Sequence, residues 1–149
     1  MSVTLMIEDP KWRTKRGLGA RLKRAAQLAQ ARGGNARGGL TILLSSDARL
    51  KALNTTFRGK DKATNVLSFP ARRGDYLGDV AIAYGVTTKE ARAAKKSFAD
   101  HATHLAIHGV LHLLGYDHET ARAARVMEPL ETAILDELGI ADPYASKAA

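Results

Sequence analysis

Phe98-Ala-Asp-His-Ala-Thr-His-Leu-Ala-Ile-His-Gly-Val-Leu-His-Leu-Leu-Gly115 reads as one long helical segment, from about Phe98 to Leu114. Gly115 stops it, because glycine accepts the left-handed conformation that ends a helix. C-terminal to it, a last helical pattern runs from about Thr120 to Leu138, with Pro129 expected to kink or split it. No strand pattern follows. N-terminal to it, short apolar runs and helical periodicities are mixed. That order, mixed elements followed by helices only, describes an α+β fold.

Working back toward the N-terminus, Thr87 or Thr88 is expected to open a helix carrying Lys89, Arg92, Lys95 and Lys96. Gly78 to Tyr84 predicts a strand, with Val80, Ile82 and Tyr84 alternating against Asp79, Ala81 and Ala83. Asn65 to Phe69 predicts another, ending at Pro70. Ser45 or Ser46 can cap a helix from about Asp47 to Phe57, and Leu40 to Leu44 is a buried strand. The glycine-rich run 33–39 is a loop. Leu18, Leu22, Ala25, Ala26 and Ala29 recur at helical spacing beside Arg21, Lys23 and Arg24, forming a basic amphipathic helix over about 18–31. Val3 to Ile7, closed by Glu8-Asp9-Pro10, is the first strand.

The chain has 149 residues, 45% hydrophobic and 26% charged, enough for one domain with its own core. It has no cysteine, which excludes disulfide frameworks, thiolate chemistry, iron-sulfur clusters and Cys-type zinc fingers, and suits a reducing cytoplasm. The N-terminus lacks a basic start and a long apolar run, and no stretch has the length of a membrane span. A cytoplasmic protein without membrane contact is therefore expected. Residues 1–96 hold 20 of the bases and 7 of the acids, whereas 97–149 hold 3 bases and 8 acids. A basic field confined to one part of a chain favours capture of polyanions, nucleic acid first among them.

All five histidines, His101, His104, His108, His112 and His118, lie between positions 101 and 118. Residues four apart share a helix face, so His108 and His112 present two imidazoles side by side, with His104 one turn earlier. Beyond the glycine stop, Gly115-Tyr116-Asp117 can fold His118 back as a third ligand. Three neutral histidines leave a fourth tetrahedral position for water, the composition of a catalytic rather than a structural zinc site. With no carboxylate among the ligands, the ion keeps its charge, acidifies bound water and attracts phosphate oxygens.

In His-Glu-x-x-His peptidases the general base follows the first ligand. Here that position is Gly109. Proton transfer would fall to the water on the metal, to Glu119 or Asp117, or to the substrate. A second region, Phe57 to Pro70, joins the second helix to the third strand. Its Arg58 can contact phosphate in bidentate fashion or stabilise transition-state charge, and Lys60 and Lys62 can hold a nucleic-acid backbone. The alternative for this stretch is a solvated charged loop.

His108-Gly-Val-Leu-His-Leu-Leu-Gly-Tyr-Asp-His118-Glu119 closely resembles the signature of the YbeY family, bacterial metal-dependent endoribonucleases and rRNA maturation factors. The resemblance extends to Leu53-Asn54, Phe57-Arg58 with Asp61, Thr64 to Pro70, Leu77 to Val80 with Ile82, and Met127 with Glu131, over roughly residues 40–140. Ala63 stands where proline is common, and Phe57 where tyrosine is common.

The resemblance implies a single compact α+β domain over residues 1–149, with about four strands in a mixed sheet and a zincin-like metal site at the end of a long helix. It implies one Zn2+ per chain, held by His108, His112 and His118 with water completing the set, and Arg58 facing the metal cleft. Arg58 and His112 are the residues expected to carry catalysis. The implied activity is cleavage of single-stranded RNA in maturing the 3′ end of the 16S rRNA precursor and in ribosome quality control, alongside the small ribosomal subunit and its assembly proteins. Two other functions fit the same residues: a metal-dependent peptidase or amidohydrolase, and a non-catalytic ribosome-assembly factor whose metal secures the fold.

Overall fold

Short apolar runs become strands where a neighbour can complete their hydrogen bonds, and Val3–Ile7 (β1) and Gly39–Ser45 (β2) do so side by side and parallel. Val3 stands opposite Leu40 and Ile7 opposite Leu44. The computed structural model describes residues 2–35 and 37–144, with only the backbone of Arg72 and Arg73. Ala36 of the expected glycine-rich loop and the tail 145–149 lie outside the described residues. Tyr76–Ala83 (β4) pairs parallel to β2, and Val66–Arg73 (β3) pairs antiparallel to β4, giving a four-stranded mixed sheet in the order β1-β2-β4-β3.

Successive side chains of a strand point to opposite faces, and β4 divides two cores in this way. Val80 and Ile82 enter the larger core, with Leu40, Ile42 and Leu44 of β2. Ala81 and Ala83 enter a smaller one with Leu50, Leu53 and Leu67. The larger core is closed by the helices Leu18–Gly33 (α1) and Phe98–Leu113 (α4), with Ala121–Glu137 (α5) lying against both. The smaller core is closed by Asp47–Arg58 (α2). Tyr84–Ala93 (α3) packs beside α4 and α2. The whole is one compact α+β domain. No helix among the described residues is long and apolar enough to cross a membrane.

Several boundaries differ from the sequence expectation. β3 does not end at Pro70 but continues to Arg73; it is an edge strand, where a missing N–H is tolerated. Tyr84 is not the last residue of β4 but the first of α3, so neither Thr87 nor Thr88 opens that helix. Their hydroxyls instead donate back to the carbonyls of Ala83 and Tyr84. β4 is buried on both faces over Val80–Ala83, because α2 covers the side that carries Ala81 and Ala83. Pro129 does not split α5, whose buried Met127, Glu131, Ile134 and Leu135 hold both halves against the larger core. Of the two candidate caps for α2, Ser46 is the one used, its hydroxyl accepting from the N–H of Arg49.

Candidate metal centre

Ser97 caps α4 by accepting from the Asp100 N–H, and the helix then carries His104, His108 and His112 along one side. The chain reverses after Leu113: Gly115 adopts φ 101°, and the Tyr116 N–H donates to the Leu111 carbonyl. Asp117 completes the reversal, its Oδ1 accepting from the N–H groups of His118 and Glu119. Those bonds, that of Glu119 foremost, hold the Asp117 carboxyl below its ordinary range. His118 is thereby returned to the face of His108 and His112. The ring centroids lie 4.6 Å (108 to 112), 4.8 Å (108 to 118) and 5.1 Å (112 to 118) apart.

One ring nitrogen from each of the three histidines lies within 4.8 Å of the others. His108 Nε2 and His112 Nε2 are 3.1 Å apart. Zinc-nitrogen bonds of about 2.05 Å in a tetrahedron put ligand nitrogens roughly 3.3 Å apart, so the donor set fits this ion. Burial, reinforced by the facing His108 and His118, pushes His112 down to about 4, keeping it neutral and able to ligate at neutral pH.

His104 does not join this set. It turns to Glu131, a residue of the family resemblance to which the sequence alone assigns no role. Glu131 is fully buried and takes hydrogen bonds from His104 Nε2 (2.6 Å) and His108 Nδ1 (2.9 Å). Burial pushes its carboxyl up, but the two histidines outweigh that and hold it at about 2. The signal in the sequence was its position: an acid on the apolar stripe that Met127, Ile134 and Leu135 define on α5.

Gly109 is a packing requirement. A Cβ there would stand 2.5 Å from Val80 Cγ1 and 3.3 Å from Ser68 Oγ, and that hydroxyl donates to the Gly109 carbonyl at 2.8 Å. A glutamate at this position, as in His-Glu-x-x-His peptidases, has no room against the sheet.

The histidines open onto a cleft of about 760 Å³ along the β3 edge, whose lining includes Arg58, Ser68, His108, His112, His118 and Glu119. Arg58, which lines it, is the last residue of α2, a helix that runs one residue further than expected and ends at Gly59, with φ 66°. Lys60 and Lys62 do not line this cleft. They border an adjoining recess of about 340 Å³, which shares Arg58, Thr64 and Asn65 with it. The two recesses thus meet at Arg58.

Residues 8–139 match the family described as Endoribonuclease YbeY. An Endoribonuclease YbeY of Rhodopseudomonas palustris is 44% identical over 153 residues, covering 96% of this chain and 80% of that protein. Another, from a Chelativorans species, is 46% identical over 152 residues, covering 97% and 93%. The solution structure of TM1509 from Thermotoga maritima is similar at a TM-score of 0.58 and 25% identity, covering 92% of this chain and 91% of that one.

Proposed function

Because the chain belongs to the Endoribonuclease YbeY family, we propose that it is a zinc-dependent endoribonuclease. It cleaves single-stranded RNA, matures the 3′ end of 16S rRNA and serves ribosome quality control, in the cytoplasm and together with the small subunit and its assembly proteins. The observation that carries this reading is one cleft lined both by the three-histidine cluster and by Arg58.

His108, His112 and His118 hold the zinc, which supplies a Lewis acid beside the scissile phosphate. Arg58, whose guanidinium presents a fork of donors, binds the phosphate oxygens on which charge builds. Lys60 and Lys62 bind the backbone running out of the cleft through the adjoining recess. Asp117 and Glu119 both line the cleft beside His118; Asp117 Oδ1 is taken up by its turn, and Glu119 is the carboxylate we assign to move the proton. A peptidase reading loses ground at Gly109, where the structure has no space for the base.

The test uses wild type, His112→Ala and Arg58→Ala, purified free of contaminating ribonuclease, with metal content determined, on end-labelled single-stranded RNA. The expected result is about one zinc per wild-type chain, with cleavage lost in both folded variants. End-group analysis then tells attack by water, which leaves a 5′-phosphate, from attack by the ribose 2′-OH, which leaves a 2′,3′-cyclic phosphate. Equal cleavage by all three proteins would mark the activity as a contaminant and favour the assembly-factor reading.

A further inference from the structure

Glu131 lies on α5, 23 residues from His108 in the chain, yet its carboxylate is the only buried one among the described residues. Burying a carboxylate is costly unless donors replace the water it loses. Three do. Oε1 accepts from His108 Nδ1 at 2.9 Å, and Oε2 accepts from His104 Nε2 at 2.6 Å and from the Tyr144 hydroxyl at 2.8 Å. The Tyr144 ring also stands edge-on to the His104 ring, centroids 5.8 Å apart.

From this arrangement we infer that Glu131 is a positioning residue of the metal centre, and that Tyr144 of the C-terminal segment holds it in place. The inference rests on the proposal that His108, His112 and His118 bind the ion. A neutral imidazole has one N–H and one lone pair, and the bond to Glu131 assigns the N–H of His108 to Nδ1. The lone pair is then on Nε2, the atom that faces His112 Nε2 at 3.1 Å. Glu131 also fixes the rotation of the ring, since Nδ1 must point into α5. Carboxylate partners of this kind set both the tautomer and the basicity of a ligating histidine.

Among the described residues His104 Nδ1 is buried without a partner, a cost borne alongside the Nε2 bond to Glu131. Tyr144 lies beyond residue 139, where the family match ends. A residue outside the matched region thus completes the shell behind the ligands. Tyr144, which follows α5, is thereby part of the centre.

The test is zinc affinity, measured by competition with a chromophoric chelator on full-length wild type, Glu131→Gln and Tyr144→Phe, with Co2+ absorption and imidazole N–H NMR alongside. Glu131→Gln keeps the shape and removes the charge. It is expected to weaken zinc binding about 10- to 100-fold, to alter the Co2+ spectrum and to shift the His108 Nδ1–H resonance. Tyr144→Phe removes one of the three donors to a buried carboxylate, so it is expected to weaken zinc binding less than Glu131→Gln does and to lower the melting temperature of the metal-free protein by a few degrees. If folded Glu131→Gln binds zinc as wild type does, the inference is overturned while the three-histidine site stands. If Glu131→Gln does not fold, Tyr144→Phe decides: weaker binding with an altered Co2+ spectrum in the folded protein supports the inference, and unchanged binding overturns it. A wild type that binds no zinc would overturn the metal reading and this inference together.

Discussion

Gly109 and Val80 mark the point at which α4 rests on the sheet: a Cβ on residue 109 would lie 2.5 Å from Val80 Cγ1 and 3.2 Å from Cγ2. Val80 is fully buried and β-branched, so it cannot swing aside. Gly109→Ala gains about 1 kcal/mol of helix propensity. Overpacking costs typically 1–3 kcal/mol. The expected net effect is a loss of roughly 1 kcal/mol in urea unfolding, and the loss should be smaller when the same substitution is made in a Val80→Ala background, because the two residues are in contact and so couple. A Gly109→Ala protein more stable than wild type would mean that the helix has room to lift.

Periodicity made α1, α2, α4 and α5 legible, because apolar spacing is a local property and survives whatever packs against it. The alignment of His108 with His112 was legible for the same reason, and the glycine stop announced the return of His118. What was hidden is tertiary. Tyr84 continues the alternation of β4, yet its backbone has already turned into α3. The burial of Ala81 and Ala83 depends on α2, which no pattern within β4 reveals. Glu131 joins His108 across two helices, and the demand for glycine at 109 comes from Val80 beneath it, on another element of the chain.

Lys60 and Lys62 border the recess beside the three-histidine cleft and are absent from the cleft lining. Replacing either with alanine should weaken single-stranded RNA binding equally for all sequences. Each should lower the slope of log K against log salt by about 1. Turnover at saturating RNA should stay near wild type. A fall in turnover without a change in the salt slope would assign the lysines to the chemistry and remove them from the backbone path.

Acid should destabilise the metal-free protein in two stages. His112 is pushed from the ordinary 6.5 down to about 4, so between those pH values the unfolded chain binds a proton that the folded protein refuses. Stability is therefore greatest above pH 6.5 and declines as pH falls toward 4. His101 acts in the same sense, burial lowering it against the opposing pull of Glu90. Glu131, held at about 2 against an ordinary 4.5, extends the loss from 4.5 downward. Urea midpoints of metal-free wild type across pH 7.5 to 4 should fall, and His112→Ala should flatten that limb; an equally steep limb in the variant would place the titration elsewhere.

His118 separates a ligand from a structural residue more cleanly than His112 does. It sits exposed on the turn, and what Asp117 holds is its backbone N–H, a bond that any side chain at 118 keeps. His118→Ala should therefore change the stability of the metal-free protein by no more than about 0.5 kcal/mol. Zinc at a hundred times its Kd adds about 2.7 kcal/mol to a protein that binds it only when folded. For a domain of this size that raises the Tm by roughly 5–10 °C. Wild type should show this rise, and His118→Ala should lose most of it, because two histidines on one helix hold zinc far less tightly than three. A variant that keeps the full rise would mean that the ion binds without His118, and the turn built by Gly115 and Asp117 would then need another purpose.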